Sequence, residues 1–219
     1  MYTRIFNSIR TQVLTKNMST AHLDLEVNRL VWIDLEMTGL DIIKDKIMEL
    51  ACLITDSNLN IIAEAPRIVI QQPSLLLDNM DEWCTKQHGK SGLTEECRNS
   101  NITLAKAEET VLKFLKSHVT EKASPIAGNS VYMDRMFLKM YMPSVNEYLH
   151  YRIIDVSSIK ELCRRWNNIS SIKELCRRWN NDLYKQAPKK EFAHRALDDI
   201  KESVAELKYY KDCFFKTKT

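Results

Sequence analysis

The chain has 219 residues, is 44% hydrophobic and carries a formal net charge of +3, enough for one sizeable α/β domain and too little for two large ones. So balanced a charge neither demands nor excludes a nucleic-acid partner, because a local basic patch vanishes in the sum. No apolar run approaches the roughly 20 residues of a membrane span, and the six cysteines, none in a Cys-x-x-Cys pair, read as reduced thiols of an intracellular protein.

Residues 1–27 read as a leader. They carry Arg4, Arg10 and Lys16, have no acid before Asp24, and place Ile5, Phe6, Ile9 and Val13 at helical spacing. That is the pattern of a mitochondrial presequence, with a disordered basic tail as the alternative. Met18 offers a second start, and with it a cytosolic or nuclear form. Strand patterns follow at Leu30–Glu36, Ile47–Thr55 and Ile61–Ile70, separated by Asp-, Asn- and Lys-rich turns, and predict an antiparallel meander. Helical spacing then predicts a helix over Thr103–His118, with Leu104, Val111, Leu112 and Leu115 on one face. A short strand at Pro125–Ala127, a helix over Tyr132–Tyr141, a strand at Arg152–Asp155 and a last helix over Ala196–Tyr210 complete the pattern. The class is α/β: a mixed five-stranded sheet, three antiparallel strands and then two alternating with helices, in one domain over 28–214.

One segment breaks that pattern. SSIKELCRRWNN occurs at Ser157–Asn168 and again, unchanged, at Ser170–Asn181, 13 residues later. Repeat architectures have longer, diverged units and need at least three of them, so 157–181 reads as a recent tandem duplication. Thirteen residues leave the two copies about 140° out of phase on a helix, and the Asn pairs should break it between them. One copy is expected to dock in the core and the other to form an extra surface element.

Chemistry first surfaces in the strand at Leu30–Glu36. Asp34 and Glu36 are two apart, so they point to the same side of it. Acids so close repel, and burying them is costly without a cation. A hard divalent ion such as Mg²⁺ or Mn²⁺ suits carboxylate oxygens. An exposed polar alternation is the plainer reading of that pair alone. Two more segments add to it: Asp134 at the start of the helix after Gly128-Asn129-Ser130, and His194 five residues before Asp199 at the head of the last helix. Asp134 alone reads more readily as a helix-start charge.

Together these motifs resemble the DEDDh 3′-to-5′ exonucleases, and within them the oligoribonucleases. The stretches carrying the resemblance are WIDLEMTGL (Trp32–Leu40), MDEWCTKQHGKSGL (Met80–Leu93), GNSVYMDRMFL (Gly128–Leu138), YRIIDVSS (Tyr151–Ser158) and HRALDDIKESVAELKYY (His194–Tyr210). The leader is similar to that of an animal, mitochondrial-type member. The resemblance implies a ribonuclease H-like exonuclease fold and hydrolysis of very short RNA, dinucleotides especially, to 5′-mononucleotides. It implies Asp34, Glu36, Asp134 and Asp199 as ligands of two ions, Mg²⁺ or Mn²⁺, with His194 as general base; the family spacing favours Asp199 over Asp198. Leu40 and Trp83 would sandwich the 3′ base, although a half-buried core aromatic is an equal reading of Trp83. His88 and Ser130 would touch the substrate backbone or phosphate. Tyr151, Arg152 and Ser157 would cap the 5′ phosphate from the second subunit of a homodimer. The duplication begins inside that cap. Two alternatives follow: a broader exonuclease acting on longer RNA or DNA ends, and a short-RNA binder inactivated by the duplication.

Overall fold

In the computed structural model, residues 28–166 and 195–214 are described. The leader, the second SSIKELCRRWNN copy and His194 lie outside them. The meander begins with β1 (Leu30–Met37), an apolar run with strict alternation up to its acids: Val31, Ile33 and Leu35 face one side, Trp32, Asp34 and Glu36 the other. β2 (Ile47–Thr55) is buried along its whole length and pairs antiparallel to β1, with Asp34 opposite Ala51 and Glu36 opposite Glu49.

The third predicted strand is split. Ile61–Glu64 (β3) and Ile68–Val69 (β4) pair separately with β2. Pro66 stands between them, and proline has no N–H to give a ladder. Among the described residues the sheet therefore counts six strands, in the order β3-β2-β1-β5-β6 with β4 also on β2. Three short helices, α1 (Ser74–Asp78), α2 (Glu82–Ser91) and α3 (Leu93–Asn99), follow the meander. Asp81 caps α2 by accepting the Cys84 amide at 2.7 Å, and Gly92 ends it at φ +79°, where glycine carries no Cβ penalty.

Helix α4 (Leu104–His118) starts at the Thr103 cap and buries the stripe Ala107, Val111, Leu115. β5 (Pro125–Gly128), α5 (Tyr132–Tyr141), α6 (Pro143–Tyr148), β6 (His150–Asp155), α7 (Val156–Trp166) and α8 (Ala196–Phe214) complete the described chain. β5 runs parallel to β1 and β6 parallel to β5. One face of the sheet packs against α4, α5 and α6 through Val111, Leu115, Phe137, Leu138 and Val145. The other packs against α8 through Trp32, Leu53, Ala127, Ala196, Ile200 and Val204. Asp34 and Glu36 thus stand on the α8 face, near the carboxyl end of β1, the end at which parallel α/β sheets place their ligands. Among the described residues no helix is long and apolar enough to cross a membrane.

Candidate active site

Three carboxylates meet where β1 runs under the first turn of α8. Oxygen atoms of Asp34, Glu36 and Asp199 lie within 4.8 Å of one another. Asp199 is half-buried, whereas its neighbour Asp198 is exposed on the same turn. Asp134 comes from the first turn of α5 and is buried. Its Oδ1 accepts the Leu35 amide at 2.9 Å. That amide is free because β5 pairs with β1 only as far as Trp32 and Ala127. The chain leaves the sheet at Gly128, where a Cβ would stand 3.0 Å from the Ile33 carbonyl.

The four acids burden one another. Burial, followed by Asp134, Glu36 and Asp199, pushes Asp34 well above the ordinary carboxylate range. Glu36 is pushed up to about 8 by burial and then by Asp199, Glu49 and Asp134. Burial raises Asp134 to about 7 against the pull of the Leu35 amide. Carboxylates crowded and desolvated in this way either hold protons or gather a cation. An all-oxygen donor set fits a hard divalent ion.

Glu49, directly opposite Glu36, was not anticipated. It is fully buried and raised to about 7 by burial, with Arg67 opposing. Its Oε2 lies 3.2 Å from Arg67 and 3.3 Å from Arg195. Arg195 also forks onto Glu96 with two 3.0 Å contacts and donates to the Ser91 carbonyl at 2.9 Å. This network ties the residue just before α8 to β2 and α3. The sequence signal was a lone glutamate in the otherwise apolar run Ile47–Thr55, which demands a cation partner.

A pocket of about 410 Å³ adjoins the acids and is lined by Glu36, Leu40, Trp83, Cys84 and His88 among others. Leu40 is 68% and Trp83 59% exposed, so Trp83 is not a core aromatic. Large apolar groups this exposed at a concave site mark a binding surface. His88 is buried, its Nε2 donating to the Met37 carbonyl at 2.9 Å and its Nδ1 lying 3.9 Å from Glu36.

The other predicted substrate residues are elsewhere. Tyr151 and Arg152 stand exposed on β6, the sheet edge two strands from β1. Arg152 lies over the Tyr151 ring at 5.5 Å, and His150 stacks on that ring with 4.4 Å between centroids. Ser130 and Ser157 meet at the corner where β6 becomes α7. Asp155 accepts both of their amides, at 2.8 and 3.2 Å. The Ser130 hydroxyl donates to Ser157, Ser157 to the Asn129 amide oxygen, Asn129 to Ser203, and Ser203 to the Asp199 carbonyl. A hydrogen-bond chain thus runs from that corner to the α8 turn bearing Asp199. α7 is built from the first copy of the duplicated segment, and Lys160 pins it to Glu206 of α8 at 3.1 Å.

Residues 31–207 match the exonuclease family RNase_T. The chain is 53% identical to the mitochondrial oligoribonuclease of Bos taurus over 191 residues, 87% of this chain and 75% of that protein. It is 48% identical to the probable oligoribonuclease of Drosophila melanogaster, covering 90% of this chain and 86% of the relative. Against the oligoribonuclease of Marinobacter nauticus it is 49% identical, over 86% and 97%. In fold it is similar to exonuclease I of Methylocaldum szegediense (TM-score 0.61, 16% identity) and to the zinc-bound E. coli exonuclease I–ssDNA complex (TM-score 0.63, 16% identity), covering 86% of this chain and 41% of each of those. The chain spans about two fifths of those two structures, and the likeness is one of fold alone. With most of its length matched at about half identity and its acids gathered under α8, the chain belongs to the oligoribonuclease family of exonucleases.

Proposed function

We propose that this protein is a 3′-to-5′ exoribonuclease that cleaves very short oligoribonucleotides, dinucleotides especially, to 5′-mononucleotides. The observation that carries the reading is the junction of the acid cluster with the Leu40–Trp83 pocket through Glu36, which belongs to both. Asp34, Glu36, Asp134 and Asp199 would hold two ions, Mg²⁺ or Mn²⁺. When bound, such ions supply Lewis-acid stabilisation of the charge that develops on the phosphate. The chain's own residues do the rest. Leu40 and Trp83 hold the 3′ base, a stacking mode indifferent to base identity. His194, outside the described residues, takes the proton of the attacking water, a task suited to a group titrating near neutrality. His88 fixes the pocket floor between Met37 and Glu36, and Ser130 would touch the substrate backbone or phosphate.

The active unit in this reading is a homodimer, in which the partner subunit's Tyr151, the partner subunit's Arg152 and the partner subunit's Ser157 cap the 5′ phosphate. Support comes from the β6 edge. Tyr151 is 73% exposed, and it shares a groove with Tyr132, Met136 and Ile153, also exposed, and with Arg135. Among the described residues no strand pairs with the outer side of β6; a sheet edge with such an apolar face invites a second copy, and a guanidinium there forks onto phosphate oxygens. The cap acts as a ruler that disfavours long chains. The mitochondrial name of the Bos taurus relative and the presequence-like leader support a mitochondrial location, and a start at Met18 would give a cytosolic or nuclear form.

Hydrolysis of a 5′-phosphorylated diribonucleotide compared with a 20-mer, in Mg²⁺, tests the proposal. Faster loss of the dinucleotide is expected. Preference for the 20-mer would favour a general exonuclease, and binding without turnover a non-catalytic binder.

A further inference from the structure

The loop between β1 and β2 carries Leu40 and Ile43 into solvent, 68% and 71% exposed, yet its backbone is fastened at many points. Asp45 is the hub. Its Oδ1 accepts the Thr38 hydroxyl and its Oδ2 the Asp41 amide, each at 2.9 Å, while its own amide donates to the Asp41 carbonyl at 2.8 Å. Its carboxylate lies so close to Gly39 that a Cβ there would come within 2.3 Å of Oδ2. Gly39, the residue before Leu40, therefore has to be glycine while Asp45 keeps its place. Thr38, buried, closes the loop's base: its amide donates to the Lys46 carbonyl at 3.0 Å, and its Oγ1 accepts the Lys46 amide at 3.1 Å.

A second fastening comes from α5. Lys46 Nζ donates to the Tyr141 hydroxyl at 2.8 Å and to the Ile43 and Lys44 carbonyls at 3.1 Å. The Tyr141 hydroxyl in turn donates toward the Ile42 and Ile43 carbonyls, at 2.9 and 3.1 Å. Tyr141 lies two turns beyond Asp134 on the same helix. One helix thus presents an acid of the cluster and also anchors the loop that bears Leu40.

We propose that Asp45 and Tyr141 are positioning residues that hold Leu40 preformed in the pocket it shares with Trp83, so that base binding need not order the loop. The inference rests on the base-binding reading of Leu40 and Trp83 given above. Ordering a loop on binding subtracts from affinity. Releasing it should therefore raise KM and leave the chemical step alone.

The test uses the full chain with Mn²⁺ and two substrates: a 5′-phosphorylated diribonucleotide and bis(4-nitrophenyl) phosphate, which has no base. For the dinucleotide, Asp45→Ala should raise KM by about tenfold and Tyr141→Phe by about threefold, with kcat within about twofold of wild type. Turnover of bis(4-nitrophenyl) phosphate should be unchanged. Asp45→Asn should recover most of the loss, because its Oδ1 can accept the Asp41 amide while its Nδ2 donates to Thr38. Equal losses on both substrates in Asp45→Ala and Tyr141→Phe, or an unchanged dinucleotide KM in both, would overturn the proposal. Leu40→Ala and Trp83→Ala separate the two levels. If they raise KM and Asp45→Ala does not, the positioning role alone fails; if neither raises KM, the base-pocket reading fails and takes the positioning role with it.

Discussion

Glu36 and Glu49 face each other across β1 and β2, the same residue type in the same register on the same side of one sheet. Both are raised by burial, to about 8 and about 7. Their companions differ. Glu49 has Arg67 and Arg195 at 3.2 and 3.3 Å, and Glu96 completes a four-membered ionic network. Glu36 sits among Asp34, Asp199 and, at longer range, Glu49 and Asp134, with the His88 ring 3.9 Å from it in place of an arginine. A buried carboxylate with arginines from its own chain is a structural fastener. One left among other carboxylates is set to take its positive charge from outside. The contrast teaches that neither burial nor a raised pKa distinguishes function from scaffold; the source of the neutralising cation does.

The comparison can be broken at either glutamate. On the Glu36 side, Glu36→Gln or Asp199→Ala should cut dinucleotide turnover by about a thousandfold or more, equivalent to about 4 kcal/mol of transition-state stabilisation. The metal-free protein should be no less stable, because a repelling charge has gone. Steady-state kinetics alongside urea unfolding checks both halves. On the Glu49 side the effect should fall on folding. Glu49→Ala leaves two arginines facing a vacated site and should destabilise by about 3 kcal/mol, read as a lower urea midpoint with unchanged slope.

Next in size is a change outside the pair. Trp83→Ala should weaken dinucleotide binding by about 1–3 kcal/mol and leave the urea midpoint nearly unmoved, since the ring is 59% exposed. Equilibrium binding in Ca²⁺ measures it. The smallest effect concerns pH. Glu36 and Asp134 have folded pKa values raised to about 8 and about 7. Such groups stabilise the folded state below their ordinary range near 4, and that stability is lost as pH rises through 7 to 8. The Tm of the metal-free protein should therefore fall between pH 5 and 8. Added Mg²⁺ or Mn²⁺ should raise Tm more at pH 8 than at pH 5, and Glu36→Gln should flatten the profile.

Much of this was legible in the sequence, for physical reasons. Strand alternation put Asp34 and Glu36 on one side of β1, and the helical spacing of Leu104, Val111, Leu112 and Leu115 predicted α4, to which the structure adds the Thr103 cap. The Ile61–Ile70 run misled because apolar content hid the consequence of Pro66. The helices α1 to α3 were unassigned, although the Asp81 cap and Gly92 bracket α2 by ordinary start and stop chemistry. The Glu49 network was invisible because it is tertiary: its arginines come from positions 67 and 195, brought together only by the fold. The exposure of Trp83 was likewise undecidable, since a tryptophan in a helix reads the same whether it packs inward or outward. The expectation of one docked and one surface copy of SSIKELCRRWNN falls on residues mostly outside those described; the first copy's α7 follows β6 without a break.

The central claim is that the acids around Glu36 gather divalent cations while Glu49, opposite, does not need one. Calorimetric titration of Mn²⁺ into the metal-free wild-type protein and into Glu36→Gln tests it most directly. The expected result is saturable binding by the wild type and at least about tenfold weaker binding by the variant. Equal Mn²⁺ binding by the two proteins, or none by the wild type, would contradict it.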